Sequence, residues 1–582
     1  MSMRKRYSLL CVLIVVAALG CSGGGGGGAS DVPNTDPTST VPTNATFTIS
    51  GTVQYEDKIY DDENGFVATA LKAIRYADVE LVDTATSIVL SAAQTNRNGF
   101  YSLGINTAGT VTTVYVRIIS SATPTASQQI AVKNLSGNLY SYRSADISLA
   151  ASSLTSNMTV STSNTAGGAF NILDVMTNGF EFVDDLAGVT PLTLTNYWPN
   201  IDPGGTFYCK ELCPQGTGIY VLYYPLGNDS DEYDDDVLYH EFGHFIAAQY
   251  SKDDSPGGAH SFSSNDLDMR LSWSEGWGDF FPGAVKYWLN ATNPALLSSS
   301  PTTSLSAYVD LGLGGQVLIA LNISTPEWTS KGNPSNYCTA NPISTSCNFS
   351  TNEIAVAKTL WDLMAGDPGA GFTGYGMQPI WDVVHTQLTT TTPVNLDAFR
   401  DGWLALQSWS AGDLLNINNI YSERLIRYSA DLYEPADDNI STASTYTVGV
   451  SAAQDHTLFV ANDVDFVSFL VTSTSQTYTI TTSNLRNGAD TVTELYDMDQ
   501  VTLLASNDNQ NNKIYSGIIT PSDRLPLCDA FGCHENKTDI LGSSISYIFA
   551  STGTYYVKIS SSSNRPVSSG RYGSYKISIT SP

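Results

Sequence analysis

The sequence predicts a multidomain protein in which a central α+β domain is flanked by an N-terminal and a C-terminal β-sandwich. Three observations predict this. At 582 residues the chain is several domains long, and 42% apolar with 10% aromatic content is enough to fill several cores. Apolar residues recur with a period near two before about residue 150 and after about residue 430, and with a helical period between them. Only 14% of residues are charged, while Ser, Thr, Gly and Tyr are abundant, a composition suited to exported, strand-rich chains.

Residues 1–20 carry a basic start, Arg4, Lys5 and Arg6, and an apolar run from Leu9 to Leu19 that is too short to span a bilayer. The junction "ALGC" resembles the bacterial lipoprotein signal, which implies cleavage after Gly20 and lipid on Cys21. Residues 21–46, with "SGGGGGGAS" directly after Cys21, bury nothing and read as a tether. The expected location is the bacterial cell envelope, lipid-anchored at the outer membrane or cell surface, or the medium outside. Acidic residues outnumber basic ones 56 to 27, and the net charge of −29 argues against nucleic-acid partners. A monomer is expected.

Beyond Cys11 and Cys21, the cysteines fall into three close pairs: Cys209/Cys213, Cys338/Cys347 and Cys528/Cys533. In an exported chain this pattern predicts three local disulfides that shape loops.

Residues 47–150 show short strands such as "YADVELVD" and a turn at Asn98-Gly99 in "TNRNGFYSL". Their order resembles the carboxypeptidase-regulatory-like β-sandwich. Residues 152–430 carry helical segments near Phe170 to Leu186, Val237 to Tyr250, Glu353 to Met364 and Leu396 to Leu406, interrupted by the strand "IYVLYYP". Residues 431–582 return to strands, and "VDFVSFLV", "ADTVTELYD" and "GTYYVKIS" together resemble the bacterial pre-peptidase C-terminal domain. Asp463, Asp465 and Asp508 offer hard oxygen ligands for calcium (Ca2+), although turns are the commoner setting for such aspartates.

The chemistry concentrates in "VLYHEFGHFI". His240 and His244, four apart on a helix, face the same way and can reach one ion; Glu241 is rotated off that line, near enough to take a proton from a water there. The alternative, two satisfied histidines on a core helix, leaves the intervening glutamate unexplained. A third ligand is available in "SWSEGWGDFF" as Glu275, and Asp279, one turn on, can fix the tautomer of a ligating imidazole. Pro282 and Gly283 predict a kink or an end just beyond Asp279.

"HEFGH" followed by "SEGWGD" resembles the thermolysin-type (gluzincin) zinc metallopeptidases, and "EGWGD" the fungalysin branch. The resemblance implies a zincin-like central domain in which His240, His244 and Glu275 bind zinc (Zn2+), Asp279 supports a ligand, and Glu241 is the general base of an endopeptidase that cleaves a polypeptide through a zinc-activated water. In that branch a histidine four residues before the glutamate of a further helix helps stabilise the transition state. The matching segment here is "NEIAVAKTLWDL", and Phe349 stands in the histidine's place. His260 in "GGAHSF" and a tyrosine are the substitute candidates, whereas His385 is expected to pack on its own helix. The substrate is expected to pair with the edge of "IYVLYYP". The competing expectation is a non-catalytic surface lipoprotein that binds glycans or proteins through its sandwiches and carries a degenerate peptidase domain.

Overall fold

The computed structural model describes residues 45–582 apart from 300–306, 323–348, 509–527, 534–541 and 563–572 and, in shorter runs, 108–110, 126–127, 188–192, 203, 259, 263, 265–266, 392, 427, 429, 460–462, 487–488 and 530–531. The leader, Cys21, most of the tether, Cys338 and Cys347 therefore lie outside the described residues.

The long strand Ala45–Asp61 pairs along its length with Gly65–Ala73, Phe100–Thr107, Ser153–Thr155 and Met158–Val160. The expected turn lies before the second of these partners. Gly99 adopts φ 71°, and a Cβ there would sit 2.4 Å from the carbonyl oxygen of Val53, so only glycine fits. A ten-stranded sheet runs in the order Val89–Gln94, Ala77–Asp83, Thr113–Ala122, Gln129–Lys133, Thr193–Asn200, Gly218–Tyr224, Phe207–Cys209, with three short strands, Ser141–Arg143, Ile147–Ser148 and Asp229–Ser230, paired off this path, so strands from both sides of residue 150 share it. One apolar core extends from Phe47 to Tyr428.

Helices α1 (Gly167–Ala187) and α2 (Asp235–Tyr250) pack against this sheet, α3 (Met269–Thr292) packs on both of them, and α4 (Glu353–Ala365) packs on α3. The helix α3 does not stop after Asp279: it continues through Pro282 to Thr292. Proline inside a helix costs about 3 kcal/mol. Burial of Phe280, Phe281, Ala284, Val285 and Leu289 offsets that cost, since each fully buried large side chain is worth roughly 1.5–3 kcal/mol.

The C-terminal strands form a five-stranded and a four-stranded sheet. Val467, Phe469, Val557 and Ile559 of the first and Tyr478, Ile480, Ile577 and Ile579 of the second join one separate core, the two faces of a sandwich. The chain is thus multidomain and sheet-rich. Among the described residues no helix is long and apolar enough to cross a membrane.

Candidate metal centre and cleft

Helix α2 begins on three acids, which suits the positive end of its dipole, but their depth of burial demands more specific partners. Asp234 accepts from the Leu311 amide at 2.6 Å, Asp236 from Val309 at 3.0 Å and from the Lys286 ammonium at 2.8 Å, and Asp235 from Ser298 and Asn171. These bonds dock the strand Ala307–Leu311 and helix α3 onto the start of α2.

The two helices cross closely because the contact residues are small. Gly243 meets Phe281 and Gly278, and Trp277 donates its indole N–H to the Gly243 carbonyl at 2.9 Å. A Cβ at Gly278 would lie 2.7 Å from the His240 ring, and one at Gly276, on the opposite face, 2.5 Å from the Glu353 carbonyl oxygen of α4. The two glycines of "EGWGD" therefore admit α2 on one side and α4 on the other.

That crossing brings His240, His244 and Glu275 together. The Nε2 atoms of His240 and His244 are 3.1 Å apart, and Oε2 of Glu275 lies 3.4 and 3.3 Å from them. A tetrahedral ion with ligands at about 2.0–2.1 Å requires ligand separations of about 3.3–3.4 Å. Behind the ligands, Nδ1 of His240 lies 3.1 Å from the buried Asp279 carboxylate, and Nδ1 of His244 lies 3.4 Å from the Ser274 hydroxyl, which reaches Asp253 at 3.3 Å. Burial opposes charge on both imidazoles, yet Asp279 and Glu275 raise His240, and Glu275 raises His244. Burial likewise works against the Glu275 carboxylate, but His244, His260 and His240 hold it well below the usual range.

Glu241 points off this triangle, as its one-residue offset requires. It is 8% exposed and accepts from the Tyr208 backbone amide at 2.6 Å. Burial raises its pKa, with His240 and His244 pulling the other way. His260 places Nε2 3.5 Å from Glu275 Oε2 and Nδ1 2.7 Å from the buried Glu353. Burial would lower His260, but Glu353 and Glu275 outweigh it and push it up to about 10. His385 packs on its own helical turn, stacked on Trp381 at 5.3 Å with Nδ1 2.8 Å from that residue's carbonyl. Phe349 is buried.

His240, Glu241, His244, His260 and Glu275 line a cleft of about 540 Å³, bounded also by Phe207, Tyr208, Tyr308 and the acids Asp229, Asp231 and Asp310. One sequence expectation needs correcting. The edge of "IYVLYYP" is not available, because Gly218–Tyr224 is flanked by Thr193–Asn200 and Phe207–Cys209. A hairpin return covers it, and the outermost strand is Phe207–Cys209. Sequence reasoning also missed Tyr208, Ser274, Asp253 and Glu353 as partners. Only Ser274, next to Glu275, carried a local signal.

Of the expected disulfides, Cys209–Cys213 forms. The backbone sets Cys528 opposite Cys533 in a short ladder, their side chains lying outside those described. In the C-terminal unit, Glu434 groups with Asp437 and Asp465 and also with Asp438 and Asp463. Asp437 is wholly buried, and among the described residues both its oxygens and both those of Glu434 accept no hydrogen bond. His456 lies 3.4 Å from Asp437. Asp508 joins no such group among the described residues, because it follows Leu503–Asn507 at the sheet edge remote from Asp465.

No protein-family model matches the chain, and no curated protein matches it. Twenty chains of solved structure do. One is the pre-peptidase C-terminal domain of a collagenase from Bacillus anthracis, 16% identical, covering 24% of this chain and 93% of that one at a TM-score of 0.15. Another is a 9R-lipoxygenase from Cyanothece PCC8801, 12% identical, covering 28% of this chain and 27% of that one at a TM-score of 0.13. Likenesses at these scores carry no argument about fold or activity.

Proposed function

We propose that the chain is a zinc-dependent endopeptidase of the thermolysin-like type, exported and held at the bacterial cell surface by lipid on Cys21. The observation that carries this reading is the triangle of His240, His244 and Glu275, whose 3.1, 3.4 and 3.3 Å edges fit one tetrahedral ion, beside a glutamate that is not one of its corners.

His240, His244 and Glu275 would hold zinc, with Asp279 and Ser274 orienting the imidazoles. Zinc, when bound, supplies a Lewis acid and lowers the pKa of water. Glu241, oriented by the Tyr208 amide, takes the proton of the attacking water and passes it to the leaving nitrogen. His260 replaces the histidine that Phe349 displaces. With Glu353 at Nδ1 the ring stays charged, so Nε2 also carries a proton and can donate to the carbonyl oxygen as it gains charge. The substrate runs antiparallel or parallel to the outer edge of Phe207–Cys209, where main-chain groups other than the Tyr208 amide, already bonded to Glu241, orient it without reading much sequence. In the C-terminal sandwich, Glu434, Asp437, Asp438, Asp463 and Asp465 suit calcium, a hard cation that takes carboxylates.

The experiment is metal analysis of the purified chain with a casein cleavage assay, comparing wild type with Glu241→Gln. Zinc retained in both and cleavage lost in the variant supports the reading. The buried Phe349 favours a second reading, a surface lipoprotein with a degenerate peptidase domain that binds glycans or proteins through its sandwiches. A zinc-free, inert wild type would select that alternative.

A further inference from the structure

We infer that the Cys209–Cys213 disulfide positions the proposed base, by holding the edge strand from which the Tyr208 amide grips Glu241. This inference rests on the endopeptidase reading above.

The strand Phe207–Cys209 is three residues long and lies at the end of its sheet, paired on one side only, through Phe207 with Tyr220, Tyr208 with Ile219 and Cys209 with Gly218. Short edge strands open at little cost. Yet the middle residue makes the 2.6 Å bond to Glu241 and lines the cleft. Two features hold it. At its start Phe207 stacks on Tyr220 at 5.1 Å, and the Tyr208 ring meets Phe245 of α2 edge-on at 6.0 Å. At its end the disulfide closes the loop over a separation of four residues.

So small a loop constrains the unfolded chain little, and its contribution to global stability is correspondingly minor. Its effect is local: with the cross-link open, Cys209 leaves the ladder with Gly218 and the Tyr208 amide loses its fixed direction. Leu212 within the loop is fully exposed and both cysteines are partly exposed, so a thiol reaches the bond. A dithiol that breaks the Sγ–Sγ bond delivers two electrons and two protons, leaves two protein thiols and becomes a disulfide itself.

The test uses the full zinc-loaded chain, as oxidised wild type, dithiothreitol-reduced wild type and the double variant Cys209→Ser/Cys213→Ser. Expected on a peptide substrate is a fall in kcat of about tenfold to a hundredfold in the reduced and variant proteins, with zinc content unchanged. Amide exchange over residues 207–209 should quicken in both, reoxidation should restore the wild type, and dithiothreitol should leave the variant's rate where it was. That last arm removes the other two cysteine pairs from the comparison. Equal kcat and equal exchange in the oxidised and reduced wild type would overturn the inference, even where the variant does not fold. An inert oxidised wild type is a failure of the peptidase reading instead, and exchange over residues 207–209 then decides alone: no change on reduction overturns the positioning role.

Discussion

In the proposed reaction Glu241 moves a proton and His260 meets the developing charge. Because Glu241 is not a corner of the ligand triangle, Glu241→Gln should keep zinc at wild-type stoichiometry while kcat falls by about 10²–10⁴; undiminished cleavage would remove it as the base. His260→Ala should lower kcat by about 10²–10³ with KM and zinc little changed. Glu353→Gln should produce a smaller loss in the same direction, because it leaves the ring in place and removes only the charge that Nδ1 faces at 2.7 Å. Steady-state kinetics on one peptide decides both. Asp279→Asn acts on the metal instead: losing the carboxylate 3.1 Å from His240 Nδ1 should weaken zinc about 10–100-fold in a competition titration with a chelator.

At the scale of elements, the candidate site exists because α2 and α3 approach closely enough to bring side chains of both within reach of one point. Gly278 sets that approach. Gly278→Ala should displace the His240 ring and weaken zinc, even though alanine improves helix propensity by about 1 kcal/mol; unchanged zinc affinity with a higher melting temperature would contradict the crossing described here. The same scale divides what could be read in advance from what could not. His240, Glu241 and His244 are a local pattern within five consecutive residues of one helix, and needed no tertiary information. Glu275 and Asp279 were equally legible as a turn of a second helix. Tyr208, Asp253 and Glu353 were not, because a strand edge, a loop and the first turn of α4 supply them, and no periodicity links those positions to "HEFGH". The helix end expected at the proline, one of two outcomes foreseen there, does not occur, for a related reason. The proline's local cost is real, but the apolar contacts that outweigh it come from other elements.

Across the whole molecule, the two outer strand-rich regions differ in how they attach. The period-two pattern located both, but it could not reveal that strands before residue 150 continue into the sheet that carries Phe207–Cys209, since pairing partners are distant in sequence. The C-terminal sandwich keeps its own core and gathers acids, of which Glu434 and Asp437 have no hydrogen-bond donor on either oxygen among the described residues. Burial and the neighbouring acids push Glu434 up to about 8 and Asp463 to about 6. Both values are raised, so the folded, calcium-free unit holds protons that the unfolded chain releases. Their stabilising contribution is full below the ordinary carboxylate range and is lost as pH rises through about 6 and then about 8. In a chelating buffer the unit's melting temperature should therefore fall between acidic and mildly alkaline pH, and added calcium should remove that fall. A melting temperature indifferent to calcium at alkaline pH would count against the cation.

The most direct test of the central claim is zinc X-ray absorption on the purified, metal-reconstituted chain, beside His244→Ala. The account predicts one zinc per chain with light ligands at about 2.0–2.2 Å, a scattering pattern of two imidazoles, and loss of one imidazole in the variant. A folded chain that takes up no zinc, or one whose zinc spectrum is the same in His244→Ala, would contradict it.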